Sequence, residues 1–166
     1  MKKLFLALMM MLPMAAMAQA KFGHVNSAEI MQAMPEFTQA RTDIEALTKQ
    51  YEADLKLMQD ELQKKGEAFE KEQATLPENI KQRRQQDLQD MYQKIQQSYQ
   101  DNQQALQQAQ QEKMQAITTK IVDAIKKVGE AGGYVYIMDL TAGIPYISTT
   151  LSTDVTTQVK AQLGLK

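Results

Sequence analysis

Residues 74–79 read Ala-Thr-Leu-Pro-Glu-Asn, and this short stretch decides the fold. Pro77 has no backbone N–H and cannot sit inside a continuous helix without breaking it. Thr75 and Glu78 stand at the T-x-x-E spacing of a capping box, which predicts that one helix ends and another begins here. Both flanks are helix material. From Ser27 to about Ala131 only Gly66 and Gly129 interrupt a composition rich in Ala, Leu, Gln, Glu and Lys, residues that lose little freedom in a helix. Asn26 and Glu29 give a second capping box where the first helix opens. Each arm then runs roughly 45–55 residues, or about 70–80 Å at the helical rise. That is too long for the interior of a single small domain, so the arms are expected to project.

Apolar residues step by three and four along both arms, the 3.5-residue period of a coiled-coil seam. The first arm offers Phe37, Ile44, Leu47, Leu55, Met58 and Leu62; the second offers Met91, Ile95, Leu106, Ile117 and Ile121. Tyr51 and Tyr99 also fall to the seam. Folding at the turn sets Phe37 against Ile117, Leu47 against Leu106, Met58 against Ile95 and Leu62 against Met91. The index sums are 153 or 154, and a near-constant sum is what an antiparallel hairpin requires. Residues 27–131 are thus predicted to form one helical hairpin with its tip at about 74–79. Arg41, Thr48 and Asn102 interrupt the seam in mid-arm, and about fifteen Gln lie between Gln82 and Gln115. Gln keeps a helix but buries little apolar area. The arm is therefore expected to stay helical and bend, with a solvated Gln face and a base firmer than its tip.

The two ends of the mature chain build a small β-rich body from 21–26 and 132–166. KFGHVN (Lys21–Asn26) alternates as a strand. Tyr134–Asp139 and Ile144–Ser148 read as two more strands joined by Leu140–Gly143. Thr153-Asp154 then caps a short amphipathic helix carrying Val155, Val159 and Leu163 and stopped by Gly164. So few elements outside the arms bury too little surface to stand alone, and a chain with no Cys has no disulfide to help. The body is expected to be an oligomer interface, with Phe22, Val25, Tyr134, Tyr136, Ile137 and Ile147 as its candidate residues. The fold class is α+β, mostly α.

The first 20 residues read as an address. Lys2 and Lys3 precede an apolar run from Leu4 to Met17, and Ala18-Gln19-Ala20 supplies an A-x-A site, the signature of a cleaved Sec-type signal peptide. Cleavage is expected after Ala20, with Ala18 the alternative, and the mature protein is expected in a periplasm. Loss of Lys2 and Lys3 leaves 17 basic against 20 acidic residues, a formal −3. An acidic total argues against a nucleic-acid partner. The single His24 and the absence of Cys leave no material for a His-rich or thiolate metal centre or a cysteine nucleophile,. There is no G-x-S-x-G, Walker A or H-E-x-x-H pattern. His24 reads as a core or interface residue, and Asp139 as a strand end before a turn. No cofactor, metal or catalytic residue is expected, and the chain does not read as an enzyme.

One charge asymmetry stands out. Near the tip Lys64, Lys65, Lys71, Lys81, Arg83 and Arg84 outnumber Glu67, Glu70, Glu72 and Glu78, whereas Lys21–Leu62 carries four basic and eight acidic residues. A basic tip suits acidic clients or lipid headgroups.

These residues also carry a resemblance. KFGHVNSAEIMQAMPEF (Lys21–Phe37), the hairpin turning at Leu76-Pro77-Glu78, GGYVYIMDLTAGIPYIS (Gly132–Ser148) and DVTTQVKAQLGL (Asp154–Leu165) together resemble the Skp/OmpH-like family of periplasmic chaperones. The resemblance implies a jellyfish-like homotrimer in which a β-body joins three subunits and three hairpin tentacles hang from it. It implies an ATP-independent holdase that keeps unfolded outer-membrane β-barrel proteins in the cavity between the arms. Such clients alternate apolar residues along each strand and aggregate in water. Well-known members are strongly basic and carry an arm site for lipopolysaccharide. This chain is acidic and Arg83-Arg84 does not map onto that site, so lipopolysaccharide binding does not carry over from the resemblance, and any electrostatic capture of lipopolysaccharide or a membrane surface is expected to be confined to the tips. The competing expectation is a periplasmic coiled-coil scaffold or adaptor that binds a folded partner.

Overall fold

The computed structural model describes residues 20–165; the signal-peptide reading lies outside them, apart from Ala20. The element order is β1 (Lys21–Val25), α1 (Ser27–Ala33), α2 (Pro35–Glu72), α3 (Glu78–Gly132), β2 (Tyr134–Asp139), a 3-10 turn (Leu140–Ala142), β3 (Ser152–Asp154) and α4 (Thr156–Gln162). The protein is mostly helical. It divides into two compact units, one of residues 20–30 with 123–165 and one of Met31–Val122.

The unit of Met31–Val122 is the helical hairpin. Three ion pairs cross between its helices: Glu36 with Lys120 at 2.9 Å, Asp43 with Lys113 at 2.6 Å and Glu72 with Arg84 at 2.6 Å. All three share an index sum of 156, the constant expected of antiparallel helices. The hydrogen bonds from Lys120 and Lys113 hold the carboxyls of Glu36 and Asp43 below their ordinary values. Ala40, Phe69, Ile95, Ile117 and Ile121 are buried. Phe37, Ile44, Leu47, Leu55, Met58, Leu62, Met91 and Leu106 are only half-buried, as a two-helix layer with solvent on both sides must leave them.

Two features of the arms depart from the sequence reading. The first arm is broken, because Met34 is extended (φ −77°, ψ 126°) between α1 and α2. The cause is Pro35, whose ring disfavours a helical conformation for the residue before it. At the tip, Thr75 does not cap α3. Its N–H and hydroxyl both donate to the Glu72 carbonyl, each at 2.9 Å, so it finishes α2. The carbonyl of Pro77 accepts the first bonds of α3 from Ile80 and Lys81.

The other unit holds a three-stranded sheet of order β2-β1-β3, in which both neighbours run parallel to β1. The expected hairpin of Tyr134–Asp139 with Ile144–Ser148 does not form. Parallel neighbours need a crossover rather than a tight turn, and residues 140–151 serve as that connection. Pro145 within them cannot donate to a ladder. The third strand is Ser152–Asp154. Gly23 lies under Ile137 Cγ1 and Tyr134 Cδ1, which a Cβ would approach to 3.1 and 3.2 Å. On the same side Val25, Ile30, Val155 and Val159 are fully buried, which makes Val25 part of the unit's own core and unavailable to a second copy, contrary to expectation.

Capping holds this core together. Asn26 Oδ1 accepts from Glu29 N at 3.1 Å, as the second capping box predicts. The reciprocal half is replaced, since Asn26 N donates to Thr156 Oγ1 and Lys160 Nζ donates to Glu29 Oε1. Asp154 Oδ1 accepts from Thr156 N at 2.8 Å in an Asx turn, but the N-cap position of α4 is Val155, whose side chain makes no capping bond, so the helix opens one residue later than the Thr153-Asp154 cap predicted.

Asp139 does more than end a strand. Its Oδ1 accepts from Ser27 N and Thr141 N, and its Oδ2 from the hydroxyls of Ser27 and Thr141. One carboxylate thus clips the start of α1 to the end of β2. Burial pushes its pKa up, but the bonds from Ser27 and Thr141 outweigh that and hold it below the ordinary value. A depressed carboxyl stabilises the fold above its unfolded-state pKa, about 4, and that contribution is lost as pH falls through the folded value. Asp139→Ala strands two backbone donors and is expected to destabilise by about 1–3 kcal/mol at neutral pH. In thermal unfolding at fixed protein concentration, the gap from wild type should shrink on acidification below pH ~4. A gap independent of pH would assign the loss to packing instead.

Candidate functional site

Two surfaces stand out for what they leave uncovered. The first is the sheet face opposite the core. Alternation along β1 puts Phe22 and His24 on this side, beside their register partners Tyr136 and Met138 on β2 and Ser152 and Asp154 on β3. Phe22 and Tyr136 stack with ring centroids 4.8 Å apart. His24 Nδ1 and Ser152 Oγ share a hydrogen bond of 2.8 Å. The crossover passes close by, and Phe22, Tyr136, Met138, Ile144, Tyr146 and Leu151 line a groove of about 340 Å³. Tyr146 is 79% exposed and Leu151 71%, and Tyr136 and Met138 are exposed as well. A contiguous apolar surface of this kind on a small unit marks an interaction site.

Of the residues predicted for an interface, Phe22, Tyr136 and Ile147 line this groove. Tyr134 and Ile137 lie near Gly23 and Gly132 instead, and Val25 is core. The most exposed members, Tyr146 and Leu151, were not singled out by sequence. Reading 144–148 as a paired strand assigned those residues to the sheet. Pro145 was the available signal against that reading.

The second surface is the hairpin. At its tip, Lys65 pairs with Glu61 at 2.7 Å and Arg84 with Glu72 at 2.6 Å. Among the described residues Lys64, Lys71, Lys81 and Arg83 have no acidic partner within the 4.0 Å limit of an ion pair. The basic tip is therefore smaller than its six cations suggest. Tyr51 is half-buried. Tyr99 is not in the seam as expected: it is 54% exposed, like Tyr92 at 56%, and its Oη accepts from Gln103 Nε2. The two tyrosines share a heptad position that sits about a quarter-turn away from Met91, Ile95 and Asn102, which occupy the seam.

Among the described residues, no group of His, Cys, Asp and Glu is placed to hold a metal ion, and no helix is long and apolar enough to cross a membrane.

Comparison with known proteins gives two matches. The family model described as outer membrane protein (OmpH-like) matches residues 21–163. The crystal structure of an OmpH-like protein from Caulobacter crescentus CB15 superposes with a TM-score of 0.74. That match covers 88% of this chain and 85% of the other at 16% identity, a likeness of fold. No curated protein sequence matches.

Proposed function

This chain belongs to the OmpH-like family, and from that premise we propose that it is an ATP-independent periplasmic holdase for unfolded outer-membrane β-barrel proteins. The observation that carries the reading is the pairing of a long, thinly packed hairpin with a small unit that leaves a large apolar face bare. The hairpin offers length and adaptability, and half-buried seam residues let it flex without unfolding. The bare sheet face supplies self-association, which we read as a homotrimer whose hairpins enclose the client. Many weak contacts inside such an enclosure hold a client through raised effective concentration rather than one tight pocket. The leader-like residues 2–20 support export to the periplasm, and the unpaired cations of the tip are its place for lipid headgroups.

Native mass spectrometry of residues 21–166, alone and after dilution of a urea-unfolded outer-membrane β-barrel protein into it, tests this reading. The expected result is a three-subunit mass that takes up one unfolded client and ignores the same barrel once folded. A trimer that leaves the unfolded barrel to aggregate would sink the holdase reading in favour of a scaffold for folded partners.

A further inference from the structure

The middle of α3 has three distinct faces, and one of them has no assigned role. The first is the seam. The second is charged: between Gln85 and Gln110 the ionisable acids and bases are Asp87, Asp90, Lys94 and Asp101. At about 100° per residue all four lie within about 40° of the direction opposite Tyr92. The third face carries Gln85, Gln89, Tyr92, Gln96, Tyr99 and Gln103 in alternating steps of four and three, then passes through Leu106 to Gln110. Leu106 is half-buried where this face meets the seam; all the others are exposed, and none is charged.

We propose that this Gln/Tyr face is the track on which one transmembrane β-strand of an unfolded client docks in extended form. The inference rests on the holdase reading and adds where, and in what form, the client is held. Length supports it. Gln85 to Gln110 spans about 38 Å along the helix, which matches about 11 residues of extended chain, and a strand crossing an outer membrane has 9–11. Chemistry supports it too. An extended strand carries unpaired N–H and C=O groups together with apolar side chains. Gln amides offer both a donor and an acceptor, and tyrosine rings take apolar side chains while keeping a wet hydroxyl. An uncharged strand meets no ion on this face that it would have to strip of water. The bond from Gln103 to Tyr99 Oη steadies that ring and leaves the phenol proton free for the client.

The test uses the whole mature protein and a urea-unfolded eight-stranded outer-membrane β-barrel protein as probe. The chain contains no Trp, so client tryptophan fluorescence reads binding without background. Tyr92→Ala with Tyr99→Ala, and separately Gln96→Glu with Gln103→Glu, should each raise Kd about tenfold. Lys94→Gln with Asp101→Asn, on the opposite face, should leave it within about twofold. All six substitutions suit an exposed helix, and unchanged far-ultraviolet circular dichroism would verify folding. If wild type binds and the double tyrosine variant binds equally well, this assignment is overturned while the holdase reading stands. If wild type itself does not bind, the holdase reading falls. A changed subunit number in the free Tyr92→Ala, Tyr99→Ala protein would make the face a contact between copies and also overturn the proposal.

Discussion

Tyr146→Glu combined with Leu151→Glu is expected to yield folded monomers. Both side chains are mostly exposed in the isolated chain, at 79% and 71%, so their replacement removes little packing within it. Within an interface between copies, the same two carboxylates would be buried without partners, and each would weaken association strongly. Glutamate in a loop before β3 also leaves the ladder of β1 with Ser152–Asp154 undisturbed. The readout is subunit number by native mass spectrometry over a dilution series, with circular dichroism reporting helix content. A variant that keeps the wild-type subunit number would remove the bare sheet face as the self-association surface. Substitution of Val25 would be a poor probe, because that residue is fully buried among Ile30, Val155 and Val159 and its loss would unfold the unit.

The hairpin was legible because its signals are local and repeat. A 3.5-residue apolar period and one proline-marked turn suffice to set two antiparallel helices, and three ion pairs at one index sum follow from that geometry. The helix break at Met34 was legible in principle from Pro35, but a strong helical composition around it masked the proline. The sheet was much less so. Parallel pairing depends on contacts between residues more than 100 positions apart, such as Phe22 with Tyr136 and Ser152. No local pattern distinguishes a crossover strand from a hairpin strand when both are short. The Gln/Tyr face was hidden in plain composition: a count of glutamines shows low complexity, whereas projecting them at helical spacing separates a neutral face from a charged one. Asp139 was read as a turn former because only the fold brings Ser27 to it.

The contrast along the hairpin leads to the second large effect. Ile117 and Ile121 are each only 2% exposed, and truncating a well-buried isoleucine removes transfer energy and leaves a cavity. Ile117→Ala or Ile121→Ala is therefore expected to destabilise by about 2–4 kcal/mol. Leu57→Ala, at a site 67% exposed, should stay within about 0.5 kcal/mol of wild type. Hydrogen exchange separates a local from a global effect. In wild type, amides around Ile117–Ile121 should be the hairpin's slowest, and those around Thr48 and Asn102 should exchange through local opening. The isoleucine variants should speed the protected region toward the mid-arm rate. Uniform protection along both helices, untouched by Ile121→Ala, would mean that the arm is a stiff rod. A stiff rod cannot reshape around clients of different size, so that single result would weigh against a flexible enclosure and for a spacer. The neutral Gln/Tyr face lies along the same weakly packed middle of α3, and the low apolar content that loosens the seam there also leaves the helix free to present that face at more than one curvature.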